Sequence, residues 1–142
     1  MNQLRLIILI LIMVCFSNCK RYQTSSMQVD SNNVKLIDSM PFIEFANPIA
    51  SVGKILSGEK VGMDFVFYNK GRQSLIIRNA KATCGCTVPL WDEKPVRPGG
   101  KGIVRVIYDS GGELGMQNKS IRIISNARNN ETDLIISAEV VN

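Results

Sequence analysis

Two cysteines two residues apart, in Thr83-Cys84-Gly85-Cys86-Thr87, are the residues of this 142-residue chain best suited by type and spacing to chemistry. Four readings fit them. Gly85 can supply a turn that brings the two Cβ atoms within bonding range, which suits a structural disulfide in an oxidising compartment. The closed loop is tiny, so its chain-entropy contribution is only about 1.5 kcal/mol. A small strained ring is also easily reduced, which opens a thiol-redox role. As thiolates the pair could hold copper(I), which accepts soft ligands in low number, whereas structural zinc wants four ligands. The fourth reading is two buried free thiols. A static role is the expectation, because redox pairs usually take the form Cys-x-x-Cys at a helix N-terminus.

Other reactive constellations fail on composition. There is no histidine, which removes Ser-His-Asp and Cys-His nucleophile systems, histidine zinc sites and imidazole bases. Neither G-x-x-x-x-G-K-[ST] nor G-x-G-x-x-G occurs, so no phosphate-cradling loop is present. Asp92-Glu93 are adjacent in a proline-containing loop, where their side chains need not converge as a glycosidase pair must. Trp91 could offer a stacking surface to a partner, although a lone tryptophan more often caps a core. No metal or cofactor site is expected, and no catalytic residue.

The remaining cysteine of interest is near the N-terminus. Arg5 precedes an 11-residue apolar run at 6–16, then Ser17-Asn18-Cys19-Lys20-Arg21. A basic residue, a short apolar run and a small polar patch form a secretory signal, and the run is too short for a span of ~20 residues. With its cysteine the segment resembles the bacterial lipoprotein signal, which makes Cys19 the lipid-attachment residue and the first of the mature chain. Phe16 and Asn18 depart from the usual residues before the cleavage point, and Cys15 lies inside the apolar run. The expected organisation is a signal peptide at 1–18, a flexible tether at 19–40 and one domain at 41–142. The polar tether would reach roughly 25 Å as a random coil, enough to hold a domain clear of a bilayer. The implied location is the bacterial cell envelope, facing the periplasm, with the membrane as one partner through the anchor.

Charge does not point to nucleic acid. The chain has 17 basic and 12 acidic residues, scattered, with Lys20-Arg21 the only adjacent basic pair. A nucleic-acid binder would concentrate them on one face, often with stacking aromatics. Hydrophobic residues at 45% and charged residues at 20% are ordinary for a globular protein, which excludes collagen-like and disordered chains.

Positioning falls to short strands. Residues 60–68 alternate, with Val61, Met63, Phe65 and Phe67 on one face. Residues 102–108 set Ile103, Arg105 and Ile107 against Val104, Val106 and Tyr108. Further strands are expected at 42–46, 75–78, 119–125 and 133–141, separated by Gly-, Asn- and Pro-rich turns. No helical stretch intervenes, so crossover helices for a parallel sheet have no place. The pattern predicts an all-β sandwich of about seven strands, with a closed barrel as the alternative.

Several motifs in order then carry a resemblance: Gly58-Glu59-Lys60-Val61, Phe65-Val66-Phe67-Tyr68-Asn69-Lys70-Gly71, Thr83-Cys84-Gly85-Cys86-Thr87-Val88-Pro89, Pro98-Gly99-Gly100-Lys101-Gly102 and Ser125-Asn126. From about residue 45 to 140 the chain resembles the bacterial "domain of unknown function 1573" family. That resemblance implies an immunoglobulin-like sandwich of the pilus-chaperone and sperm-protein kind, in exported and often lipid-anchored proteins, commonly of Bacteroidetes. The family has no established enzymatic activity. The function expected is a lipid-anchored module for protein binding or assembly, contacting its partner by a sheet edge or by the end of the sandwich at 84–91. The alternative is a periplasmic redox or copper(I)-handling protein using Cys84 and Cys86.

Overall fold

The computed structural model describes Leu36 and residues 38–142. The signal segment, Cys19 and most of the tether lie outside the described residues. Leu36, Asp38 and Ser39 are helical, just ahead of the first strand. Eight strands follow: β1 (Ile43–Phe45), β2 (Ile49–Leu56), β3 (Lys60–Asn69), β4 (Ile77–Ala82), β5 (Thr87–Trp91), β6 (Lys101–Asp109), β7 (Gly115–Ser125) and β8 (Glu131–Val141). They form two four-stranded sheets, ordered β1-β3-β6-β5 and β2-β8-β7-β4. Every pair is antiparallel except β2 with β8. Each sheet keeps two free edges, so the fold is an open sandwich and not a closed barrel.

Eight strands stand against an estimate of about seven, and the two outside the six expected segments, β2 and β5, each escape the pattern for a physical reason. In β2 the register slips between Ser51 and Gly53, where Gly53 has φ of 81°, so a bulge breaks the period-2 alternation. β5 is a five-residue edge strand containing Pro89, a residue that reads as a turn. The strand expected at 75–78 begins instead at Ile77, and Leu75 forms an isolated bridge with Val96.

The core lies between the sheets, where the inward rows meet. β3 contributes Phe65 and Phe67, β6 contributes Val104 and Val106, and these face Ile121 and Ile123 of β7 and Leu134 and Ile136 of β8. All are essentially fully buried. At ~1.5–3 kcal/mol for each such side chain, this layer dominates the stability. Phe67 needs one concession from its neighbour. A Cβ on Gly102 would stand 2.3 Å from the ring's Cζ, so only glycine fits there.

Asn69 ends β3 and organises the loops at that end of the sandwich. It is fully buried. Its Nδ2 donates to the carbonyls of Gln73 (2.7 Å) and Val96 (2.9 Å), and its Oδ1 accepts from the Gly71 amide (3.0 Å). The Asn69 amide itself donates to Gly100 O at 2.9 Å. Two loops, the one after β3 and the one before β6, thus have backbone groups satisfied by one side chain. Asn69→Ala should cost about 2–4 kcal/mol, since it leaves these buried groups unpaired. Chemical denaturation of the variant against the wild type measures this, and a loss below about 1 kcal/mol would contradict the account.

Candidate functional site

β4 ends on the edge of one sheet and β5 begins on the edge of the other, so residues 83–86 must cross between layers. Both ends of the crossing are pinned. The Thr83 amide donates to Ser120 O at 3.0 Å, and the Asp109 amide donates to Cys86 O at 2.9 Å. Between them Cys84 and Cys86 are joined as a disulfide, with Cα atoms 5.3 Å apart. The buried Thr87 hydroxyl lies 3.5 Å from Cys84 Sγ and 3.7 Å from Cys86 Sγ. Cys86 packs against Ile55, Tyr108, Ala138 and Val140. In this state the sulfurs are bonded to each other, and the pair holds a corner of the sandwich.

Behind that corner a polar network fills the inter-sheet space. Tyr108 Oη donates to Glu113 Oε2, and Lys119 Nζ donates to Glu113 Oε1 and, at 3.2 Å, to Gln117 Oε1. Lys119 also lies 5.5 Å from the Tyr108 ring centroid. Tyr108 and Lys119 are buried. The hydrogen bond from Lys119, helped by that from Tyr108, holds the Glu113 carboxyl below its usual range. Burial, then the Glu113 hydrogen bond, pushes the Tyr108 phenol well above its own. Both groups are moved away from neutrality, so the network is suited to holding structure and not to relaying protons at pH 7.

Trp91 is half-buried. It stands on the inner face of β5 with Thr87 and Pro89, packed against the main core. Its buried Nε1 has no hydrogen-bond partner among the described residues. Asp92 is occupied with Lys94, accepting its amide at 2.9 Å and lying 3.8 Å from its Nζ. An open cleft of about 520 Å³ beside this loop includes Lys94, Arg97 and Lys101 over Gly100 and Gly102. It is too open to keep water from a reacting group.

The feature that sequence reasoning missed is the outer face of the sheet containing β6. Val88 and Leu90 of β5 are 50% and 49% exposed, and Ile103 of β6 is 47% exposed. Register sets Val88 beside Ile107, which lies beside Gly62 of β3, and sets Ile103 beside Val66. Between these apolar rows Arg105 donates to Asp64 through Nε and Nη2, both at 2.6 Å. That contact lowers the Asp64 pKa and raises that of Arg105. Gly62 is exposed, has no left-handed φ, and has no atom within 4 Å of where a Cβ would sit. The result is an outer face of alternating apolar and charged rows, with a notch at Gly62. The signal was present in the alternation of β6, whose outward row sets Ile103 and Ile107 among Lys101, Arg105 and Asp109.

The edges are guarded by comparison. β1 has three residues, β2 carries the Gly53 bulge, and β4 has a register slip beside exposed Arg78 and Lys81. On β5 the Cys86–Asp109 bond fixes the ladder, so residues 87, 89 and 91 direct their backbone groups at the free edge. Pro89 therefore leaves a gap where an incoming strand needs a donor. The face, more than any edge, is available.

A family model described as protein of unknown function (DUF1573) matches residues 43–140, which span every strand. The chain belongs to the DUF1573 family. No curated protein matches it. Among solved structures, this DUF1573 chain is similar to a protein of unknown function from Porphyromonas gingivalis W83, with TM-score 0.62 and 17% identity over 72% of this chain and 48% of that one. It therefore spans about half the length of that protein. It is also similar to the ASH/PapD-like domain of human CEP192, with TM-score 0.59 and 8% identity over 75% and 88% of the two chains. A third likeness is to the secreted serine protease VesC from Vibrio cholerae, with TM-score 0.55 and 13% identity over 78% and 25%. These likenesses show the fold: an immunoglobulin-like, PapD-like sandwich.

Two outcomes follow for the corner. Replacing both cysteines, as Cys84→Ser with Cys86→Ser, should cost about 1.5 kcal/mol or less in chemical denaturation while leaving the domain folded, because the closed loop is tiny. Acid should act through Glu113. Its folded pKa is depressed, so its contribution is present at neutral pH, fades as pH drops below the ordinary value of 4.5, and is lost as pH passes through the lowered folded value. Thermal melts across that window should show a smaller loss for Glu113→Gln than for the wild type; equal losses would remove Glu113 from the account.

Proposed function

We propose that this chain is a lipid-anchored module of the bacterial cell envelope that binds a protein and carries no catalytic activity. Cys19 takes the lipid, the tether spaces the sandwich from the membrane, and the domain faces the periplasm. The observation that carries the reading is the outer face at Val88, Leu90 and Ile103, each about half exposed. Apolar side chains gathered on one outer face are a mark of an interaction site. A docking partner there would bury aliphatic side chains around the Asp64–Arg105 pair, an apolar centre with a polar element fixing orientation. Membership of a family of unknown function and likeness to immunoglobulin-like domains are compatible with this role and do not supply it.

The test is photocrosslinking in intact cells of the native host, with a photoreactive side chain placed at Leu90 or, as control, at Lys81 on the other sheet. The expected result is a discrete protein adduct from position 90 and none from 81, with the chain in the membrane fraction. Cys19→Ser should release it from that fraction. Absence of any adduct at position 90 would overturn the docking face, and membrane retention of the Cys19→Ser chain would overturn the anchor.

A further inference from the structure

We infer that the outer face of β3 and β6 binds a second copy of this chain, as a two-fold, self-complementary interface. The inference rests on the reading of that face as a docking surface and names its occupant. Its basis is the content of four successive rows. Gly62 stands beside Ile107, Asp64 beside Arg105, Val66 beside Ile103 and Tyr68 beside Lys101. A two-fold axis parallel to the strands, running above the gap between β3 and β6, lays β6 of one copy over β3 of the other. Sheets packed face to face keep their strands within about 30°, so the central rows stay in register.

Each row then meets its complement. Ile107 of one copy is set over the notch at Gly62 of the other, Ile103 over Val66, and Lys101 over the Tyr68 ring. Arg105 is set over Asp64, so the two exposed ion pairs become a ring of four alternating charges. Isologous interfaces require this kind of self-complementarity, in which residue i meets j and j meets i. Charge alternation also fixes the register, because a slip of one row sets a charge on an apolar side chain. Cross-strand pairing inside one copy accounts for Asp64 with Arg105. It does not account for glycine at 62, whose backbone any residue could adopt and whose Cβ space is empty. Close approach by another chain does. Val88 and Leu90 flank the centre and extend its apolar rim.

Sedimentation velocity of the full-length chain in mild detergent tests this. The expected result is a reversible species of twice the chain's mass, with affinity on the order of micromolar for so small a patch. Asp64→Arg or Arg105→Asp alone should weaken it roughly tenfold or more, because each reversal sets like charges together twice. Asp64→Arg with Arg105→Asp should return it to within roughly threefold of wild type, since the ring of alternating charges is rebuilt. Gly62→Arg should abolish it. The thermal midpoints of these variants should stay near wild type, because the substituted residues are exposed. A chain that stays monomeric, or a dimer indifferent to both single reversals and to Gly62→Arg, overturns the inference. Should the chain be monomeric while the Leu90 photoadduct has a mass other than twice the chain's, the docking face stands and self-association falls. Monomeric behaviour with no adduct removes both.

Discussion

The contact between the two inward rows of side chains, Phe65, Phe67, Val104 and Val106 on one sheet and Ile121, Ile123, Leu134 and Ile136 on the other, is the interaction on which everything else rests. A four-stranded sheet with one apolar face is unstable alone in water, and the two sheets bury that face against each other. Long-range register follows from it. A one-residue slip of any central strand would turn its whole apolar row to solvent, so the pairing of β3 with β6 and of β7 with β8 is fixed. Details at the rim serve the same contact. Gly102 exists in its present form because the Phe67 ring occupies the place of a side chain, and Asn69 satisfies the backbone of loops that could not otherwise be buried over the end of that core.

The connection between layers is the costly place in such a fold. Residues 83–86 must leave the edge of one sheet and join the edge of the other within four residues, and the disulfide ties the middle of that path. Beneath it, the inter-sheet space holds Tyr108, Glu113 and Lys119 where aliphatic residues are the usual occupants. A buried lysine is tolerated there because its ammonium is matched by a carboxylate that also accepts the phenol, so no member is left unpaired. The disulfide and the network are thus two parts of one structural corner, and the apolar outer face begins directly beyond it on β5.

That outer face gives the domain its character. β6 is a central strand whose covered side holds Val104, Val106 and Tyr108, while its open side alternates Ile103 and Ile107 with Lys101, Arg105 and Asp109. The four edges, which an all-β protein must defend against unwanted pairing, are short, bulged, charged or blocked by proline. A fold that guards its edges and leaves a face open directs association through side chains. Such association can be specific, because a face carries charge and shape row by row, whereas an edge offers the same backbone groups to any strand.

Much of this was legible in the residues alone. Period-2 alternation at 60–68 and 102–108 and the absence of any helical stretch pointed to an all-β fold, sandwich or barrel, and the ordered motifs from Gly58 to Asn126 carried its kinship. The Cys-Gly-Cys spacing located the corner. Tertiary structure decided what alternation cannot: which strands lie beside β6, that Trp91 packs against the main core, and that Val88, Leu90 and Ile103 share a surface with Gly62. The pairing of Asp64 with Arg105, 41 residues apart, belongs to the same class. So do β2 and β5, one hidden by a bulge and the other by a proline. The physical reason is common to them all. Local sequence fixes the period of a strand and therefore that it has two faces. Which face meets water is settled only when a second sheet, distant in sequence, covers the other.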